Sequence, residues 1–233
     1  KTAYEIRPRD WSSDVCSSDL PDPHTLAALR TLVSAWSPPP RRTGTGVATG
    51  IRALDEALDG GLPPGRLTEL VSPPGTGGQT ILAQLLGTVR ASRRRAALID
   101  ATDAFAPEAL PADDLRHLVW ARARTLAEAL GVADILVRDG NFAVVVLDLR
   151  DVPARELQRT PASSWHRLHR LAERQPAAVL VQTGRPAVPA VARRLALTQP
   201  LPRSTRAPIR GELAALLAPE VLRGRRTALE LAG

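Results

Sequence analysis

Along the chain, short continuous apolar runs alternate with stretches in which apolar residues recur at helical spacing. Arg66–Val71, Ala96–Ile99 and Ala177–Val181 predict buried strands, and Leu115–Ala121 predicts a further one. Phe142–Leu147, the most apolar run, predicts a central strand covered on both faces. Between them, Ile51–Leu58, Ile81–Val89, Thr125–Arg138 and Ser163–Arg174 predict helices. In the third of these, Leu126, Leu130, Ala133 and Val137 share one face. Thr49 caps the first helix and Gly60-Gly61 stops it. Strands alternating with helices predict an α/β fold, a largely parallel twisted sheet flanked by helices. Near the end, Leu213–Leu217 and Glu220–Leu222 predict paired edge strands, with Arg223-Gly224-Arg225-Arg226 as a turn.

Two segments precede this core, which is expected over residues 45–233. His24–Trp36 predicts an amphipathic helix carrying Leu26, Leu29, Val33 and Trp36, and Ser37-Pro38-Pro39-Pro40-Arg41-Arg42 predicts a linker. Residues 1–20 differ in composition, holding the only Lys, Tyr and Cys and a near-repeat, Trp11-Ser12-Ser13-Asp14 followed by Val15-Cys16-Ser17-Ser18-Asp19. This opening resembles a translated sequencing adapter and is set aside, as a non-native or disordered tail, from the fold argument.

The net charge is +7, and the tail (Lys1, Arg7, Arg9 against Glu5, Asp10, Asp14, Asp19) is slightly acidic, so the excess lies in the rest. Every basic residue there is Arg, which fits either an anionic partner such as DNA or a GC-rich coding bias. Without Cys beyond the tail, disulfide and thiolate chemistry are excluded for the core. No apolar run approaches the ~20 residues that cross a membrane, so a cytoplasmic protein is expected.

The candidate chemistry centres on Ser72-Pro73-Pro74-Gly75-Thr76-Gly77-Gly78-Gln79-Thr80, a glycine-rich turn between a predicted strand and a predicted helix. Such turns cradle phosphate on backbone N–H groups at a helix N-terminus. The P-loop motif G-x-x-x-x-G-K-[ST] is met only in part. In one register Gly78 and Gln79 stand for the lysine and the hydroxyl residue, and in the other Gln79 and Thr80 do. Neither supplies a lysine. Asp148, after Val144-Val145-Val146-Leu147, has the place of a strand-end carboxylate that holds Mg²⁺ through water, or that bonds its own loop.

Thr49-Gly50-Ile51-Arg52-Ala53-Leu54-Asp55, Gly60-Gly61-Leu62-Pro63-Pro64-Gly65-Arg66 and Glu69-Leu70-Val71 resemble the entry into the core of RecA-family recombinases. Ala97–Ala101, Arg138-Asp139-Gly140 with Val144–Asp148, and Val221–Arg226 are similar to that family's second strand, Walker B strand and closing basic strand. The resemblance implies a RecA-like P-loop NTPase fold and a site for ATP with Mg²⁺. It also exposes departures. The lysine is missing, Thr102 stands near the catalytic glutamate's place, and only Thr183-Gly184-Arg185-Pro186 follows where a DNA-binding loop is expected. Nucleotide held without hydrolysis, and no catalytic residue, are the expectation.

Arg138-Asp139-Gly140-Asn141-Phe142, Pro161–Leu168 and Thr183–Pro189 are similar to motifs of the ImuA family of translesion-synthesis accessory proteins. This resemblance implies a non-catalytic adaptor in the SOS response, partnering an ImuB-type Y-family-polymerase-like protein and an error-prone replicative-type polymerase, with RecA as a further partner. The alternatives are a DNA-dependent ATPase or recombinase in which Arg or a partner's residue replaces the lysine, and a regulator of RecA filaments. Arg223, Arg225 and Arg226 are the candidate DNA or other anion contact, or a solvated edge-strand charge cluster. His166 and His169 have a spacing compatible with a metal, but without matching Cys or carboxylates they read as exposed polar residues. Ser163 and Ser164 read as helix caps. Few aromatics remain for stacking on single-stranded DNA.

Overall fold

The computed structural model describes residues 46–189, 191–201 and 210–223. The expected N-terminal helix and linker, and Arg225 and Arg226, lie outside the described residues. The chain enters through α1 (Arg52–Ala57), β1 (Leu67–Val71), α2 (Gly78–Ala91) and β2 (Ala96–Asp100). A short 3₁₀ turn, Pro107–Ala109, leads to β3 (Leu118–Arg122), α3 (Leu126–Asp139) and β4 (Val144–Leu149). Next come α4 (Ala154–Arg159), α5 (Ala162–Ala172), β5 (Ala178–Thr183), β6 (Arg193–Leu197), α6 (Arg210–Ala215) and β7 (Pro219–Arg223).

The seven strands form one sheet in the order β3-β2-β4-β5-β1-β6-β7, parallel throughout except for the last pair. Successive side chains on a strand point to opposite faces, so each central strand feeds two cores. Val144, Val146, Leu98, Leu180 and Leu70 face one core, closed by Ile81, Leu82, Leu85, Leu86 and Val89 of α2 and by Leu54 of α1. Val145, Leu147, Ile99, Val179 and Val181 face the other, closed by Ala129, Ala133 and Val137 of α3 and by Trp165 and Leu168 of α5. No helix among the described residues is long and apolar enough to cross a membrane.

Local chemistry sets the ends. Thr125 caps α3 by accepting the Glu128 N–H at 3.1 Å, and Gly140 at φ 71° ends it. Thr49 does not stand at the cap of α1, which is Ile51. Its hydroxyl donates to Asp55 Oδ1 at 2.8 Å and accepts from the Ile51 N–H at 3.2 Å, bracing the helix from outside. Gly61, at φ 111°, has Val47 O 2.6 Å from where a β-carbon would stand, so the backbone bridge between Val47 and Leu62 requires glycine there.

The C-terminal expectation is corrected. Leu213–Leu217 is no strand: residues up to Ala215 complete α6, in keeping with a run of Leu and Ala without β-branching. Glu220–Leu222 does lie in an edge strand, β7, but its partner is β6, whose sequence Arg193-Arg194-Leu195-Ala196-Leu197 hides an apolar run behind two arginines.

The second arginine explains the strand. Glu69, fully buried in β1, accepts from Thr183 Oγ1 at 3.0 Å, Ala187 N at 2.7 Å and Val188 N at 3.2 Å. Its other oxygen accepts from Arg194 Nε at 2.5 Å, while Arg194 Nη2 donates to Val188 O at 2.6 Å. A buried carboxylate is tolerated only when paired and hydrogen-bonded. Glu69→Ala leaves the guanidinium and three donors without their acceptor, so urea unfolding is expected to show a loss of about 3–5 kcal/mol. Glu69→Gln, which keeps an acceptor, should lose less.

Candidate functional site

The parallel strands all end on one edge of the sheet, where α/β folds place their sites. There the register aligns Asp100, Asp148 and Gln182 with Leu70 of β1, two residues before the glycine-rich loop. All three polar side chains are buried and share the face covered by α2.

The expected loop is present. Ser72 donates its N–H to Thr183 O at 2.7 Å, and the Thr76 hydroxyl folds back onto Pro73 O at 2.7 Å. Gly75 (φ 81°) and Gly77 (φ 102°) make the left-handed turns that bring the chain into α2. Among the described residues the N–H groups of Gly78, Gln79 and Thr80 have no acceptor, as expected for the first turn of a helix. The outer side of the loop is covered. Leu201 donates its N–H to Gly75 O at 2.8 Å, and a β-carbon on Gly77 would stand 2.6 Å from Leu217 Cδ2. Gln79, in the place of the hydroxyl residue, reaches away from the loop and donates to Ala104 O at 3.1 Å.

The decisive side chain is one that the sequence does not single out. Arg150 donates from Nε to Asp148 Oδ1 at 2.7 Å and from Nη2 to Oδ2, a planar fork on a carboxylate. The pair is nearly sealed, with side-chain exposures of 10% for Arg150 and 1% for Asp148. On its other side, Arg150 Cδ and Nη1 lie 2.9 Å from the point where a β-carbon on Gly78 would stand, and Ser72 Oγ lies 2.6 Å from it. The space that a lysine at residue 78 needs is already filled.

The other two polar residues of the row are also committed. Asp100 accepts the N–H groups of Thr102 at 3.2 Å, Ala104 at 3.1 Å and Phe105 at 2.9 Å. It thereby shapes the turn on which Thr102 stands exposed, and it holds Phe105 edge-on to Trp120 at 5.3 Å. Gln182 donates to Gly78 O at 3.2 Å, leaving its Oε1 and Ser72 Oγ as buried oxygens without a partner. These residues do not fit a magnesium-bound nucleotide. The carboxylate that would hold the metal's water is doubly bonded to an arginine, and among the described residues there is no lysine to meet a phosphate.

The remaining candidates lie elsewhere. Arg223, exposed on β7, donates to Pro189 O at 2.9 Å. His169 lies 3.5 Å from Glu173, which also binds Arg66 at 2.6 Å. Among the described residues no group of three or more His, Cys, Asp or Glu is placed to hold a metal ion. Ser163 and Ser164 lie inside α5, whose N-cap is Pro161, without a side-chain cap.

Burial lowers the His169 pKa, Glu173 opposes this, and Arg66 and His166 add to the lowering. The unfolded imidazole takes its proton near pH 6.5 while the folded one waits for lower pH. Acidification through that window therefore favours the unfolded chain. Thermal unfolding should show a smaller loss of Tm between neutral pH and about pH 5.5 for His169→Gln than for the natural chain. At the loop, Gly78→Lys restores the motif's lysine but sets its β-carbon against Ser72 and Arg150. The expected outcome is a lower Tm and no heat of binding on titration with Mg-ATP.

Comparison with known proteins gives this geometry its family. The model of the RecA N-terminal domain matches residues 41–161, just over half of the chain. The protein RecA of Frankia alni is 37% identical over 105 residues, 44% of this chain and 30% of its own length. Protein RecA of Salinispora tropica is 36% identical over 151 residues, 61% of this chain and 43% of its own. That of Mycobacterium marinum is 37% identical over 117 residues, 48% and 34% of the two chains. The matches thus span less than half the length of these curated relatives. With its mostly parallel sheet flanked by helices, the chain has a RecA-like fold and belongs to the RecA N-terminal domain family.

Proposed function

We propose that this protein is a non-catalytic RecA-like accessory factor of DNA repair, of the ImuA type. It acts as an adaptor between an ImuB-type Y-family-polymerase-like protein and an error-prone replicative-type polymerase in SOS-linked, mutagenic translesion synthesis in the cytoplasm. The observation that carries this reading is the ion pair of Arg150 with Asp148, which commits the Walker B carboxylate to the chain itself. Phosphoryl transfer depends on charge at the transferring group, and a single arginine finger is worth about 10³ to 10⁵ in rate. Here the lysine is absent, the metal's carboxylate is taken, and Thr102 cannot act as a base toward water.

Two further observations agree. The connection after β5, where a recombinase is expected to carry a DNA-binding loop, is held down by Glu69. Of the motifs that resemble those of ImuA proteins, Arg138–Phe142 and Pro161–Leu168 lie outside the phosphate loop's contacts, while Thr183–Pro189 begins beside it, where Thr183 O accepts the Ser72 N–H. Surfaces of the fold, rather than its nucleotide site, then do the work.

The test is ATP turnover by the full chain with and without single-stranded DNA, followed by pull-down against an ImuB-type protein and RecA. Turnover at the no-protein blank and capture of the ImuB-type protein are expected. Turnover that disappears in Asp148→Ala would return the chain to the ATPases. Preferential capture of RecA would make it a filament regulator.

A further inference from the structure

Asp148 stands in the row of polar residues at the strand ends, yet its side chain is only 1% exposed, and a bare carboxylate so buried is strongly disfavoured. In the register Asp100 lies beside it on β2 and Gln182 on β5, and neither offers it a positive charge. Among the described residues its one ionic partner is Arg150, two residues along the same chain. The Arg150 backbone N–H also points at Oδ1, at 3.3 Å, so the side chain and its own peptide converge on the carboxylate.

We propose that Arg150 is a built-in cation: one side chain that takes both the metal's partner and the lysine's space, and so holds the phosphate loop in its formed shape with nothing bound. The guanidinium fork neutralises Asp148, while Cδ and Nη1 pack against Gly78 at the start of α2. Gly78 O is in turn held by Gln182, and Gly75 O by Leu201. Three side-chain or backbone groups of the chain thus converge on the loop: the Arg150 guanidinium, the Gln182 amide and the Leu201 N–H. A loop fixed in this way does not change with nucleotide or metal concentration, so any partner that reads this end of the sheet meets a constant surface. This inference rests on the reading of the centre as non-hydrolytic, and it does not depend on which polymerase the protein serves.

The experiment is thermal unfolding of the full chain with millimolar Mn²⁺ or guanidinium ion as the added cation. The natural protein should be indifferent to both. Arg150→Ala should lose roughly 6 °C or more in Tm, as expected for an orphaned buried charge in a chain of this size. Added Mn²⁺ or guanidinium should recover part of the loss by re-entering beside Asp148. The double variant Asp148→Asn/Arg150→Met removes both charges and keeps the packing. It should unfold close to the natural Tm and ignore the cations.

An Arg150→Ala protein as stable as the natural one, or one whose loss no cation recovers, overturns the inference. If Arg150→Ala does not fold, the double variant decides, since a folded, cation-indifferent double variant supports the inference and an unfolded one overturns it. Failed rescue without ATP turnover would sink this inference alone, whereas turnover by the natural chain would sink the non-hydrolytic reading.

Discussion

The structure depends on a carboxylate placed where a hydrophobic residue would ordinarily stand. Glu69 lies in β1, between β5 and β6, and it accepts from Thr183 of β5, from Ala187 and Val188 in the connection between those strands, and from Arg194 of β6. Without Arg194 and the N–H groups of Ala187 and Val188, it would be a charge stranded in the core. With them, it clamps β6 to the sheet and draws the preceding turn flat against the strand ends. The same strand delivers Ser72 and the glycine-rich loop, so the clamp and the candidate site share one backbone.

A comparable economy governs the rest of the strand-end row. In a nucleotide-driven protein, polar groups at such a position wait for a ligand and change partners when it leaves. Here Asp100 is used to shape its own turn, Gln182 to hold the first residue of α2, and Asp148 to hold Arg150. The residual orphans, Ser72 Oγ and Gln182 Oε1, mark where the chain's own groups fall short of filling the place. The family membership thus describes the scaffold, and at its strand-end edge these three polar side chains are bonded to the chain's own groups.

Much of the fold was legible in the sequence because burial on both faces leaves a plain mark. Val144–Leu147 admits no polar residue before Asp148, and α2 and α3 repeat their apolar positions over several turns. What escaped was set by contacts far apart in the chain. Arg194 reads as a surface charge until Glu69 is found beside it, and that is why β6 was missed. The loop was legible too, down to its missing lysine. Arg150 was not, because an arginine two residues after an acid is unremarkable in an arginine-rich chain. The signal was Gly78 itself: a residue without a β-carbon at the lysine's position implies that something else occupies the space.

The order of strands carries a consequence for how the protein is made. β1 emerges from the ribosome before the other described strands, yet both of its neighbours, β5 and β6, emerge only after β2, β3 and β4. Until they arrive the strand has no partner for either edge, and Glu69 has no counter-charge. The sheet cannot grow progressively from its N-terminal end, and β1 is seated only after β2, β3 and β4 have been made. Contacts so distant in sequence make folding slow and late. An interrupted chain would leave β1 with both edges unpaired, a ready template for aggregation and a substrate for quality-control proteases.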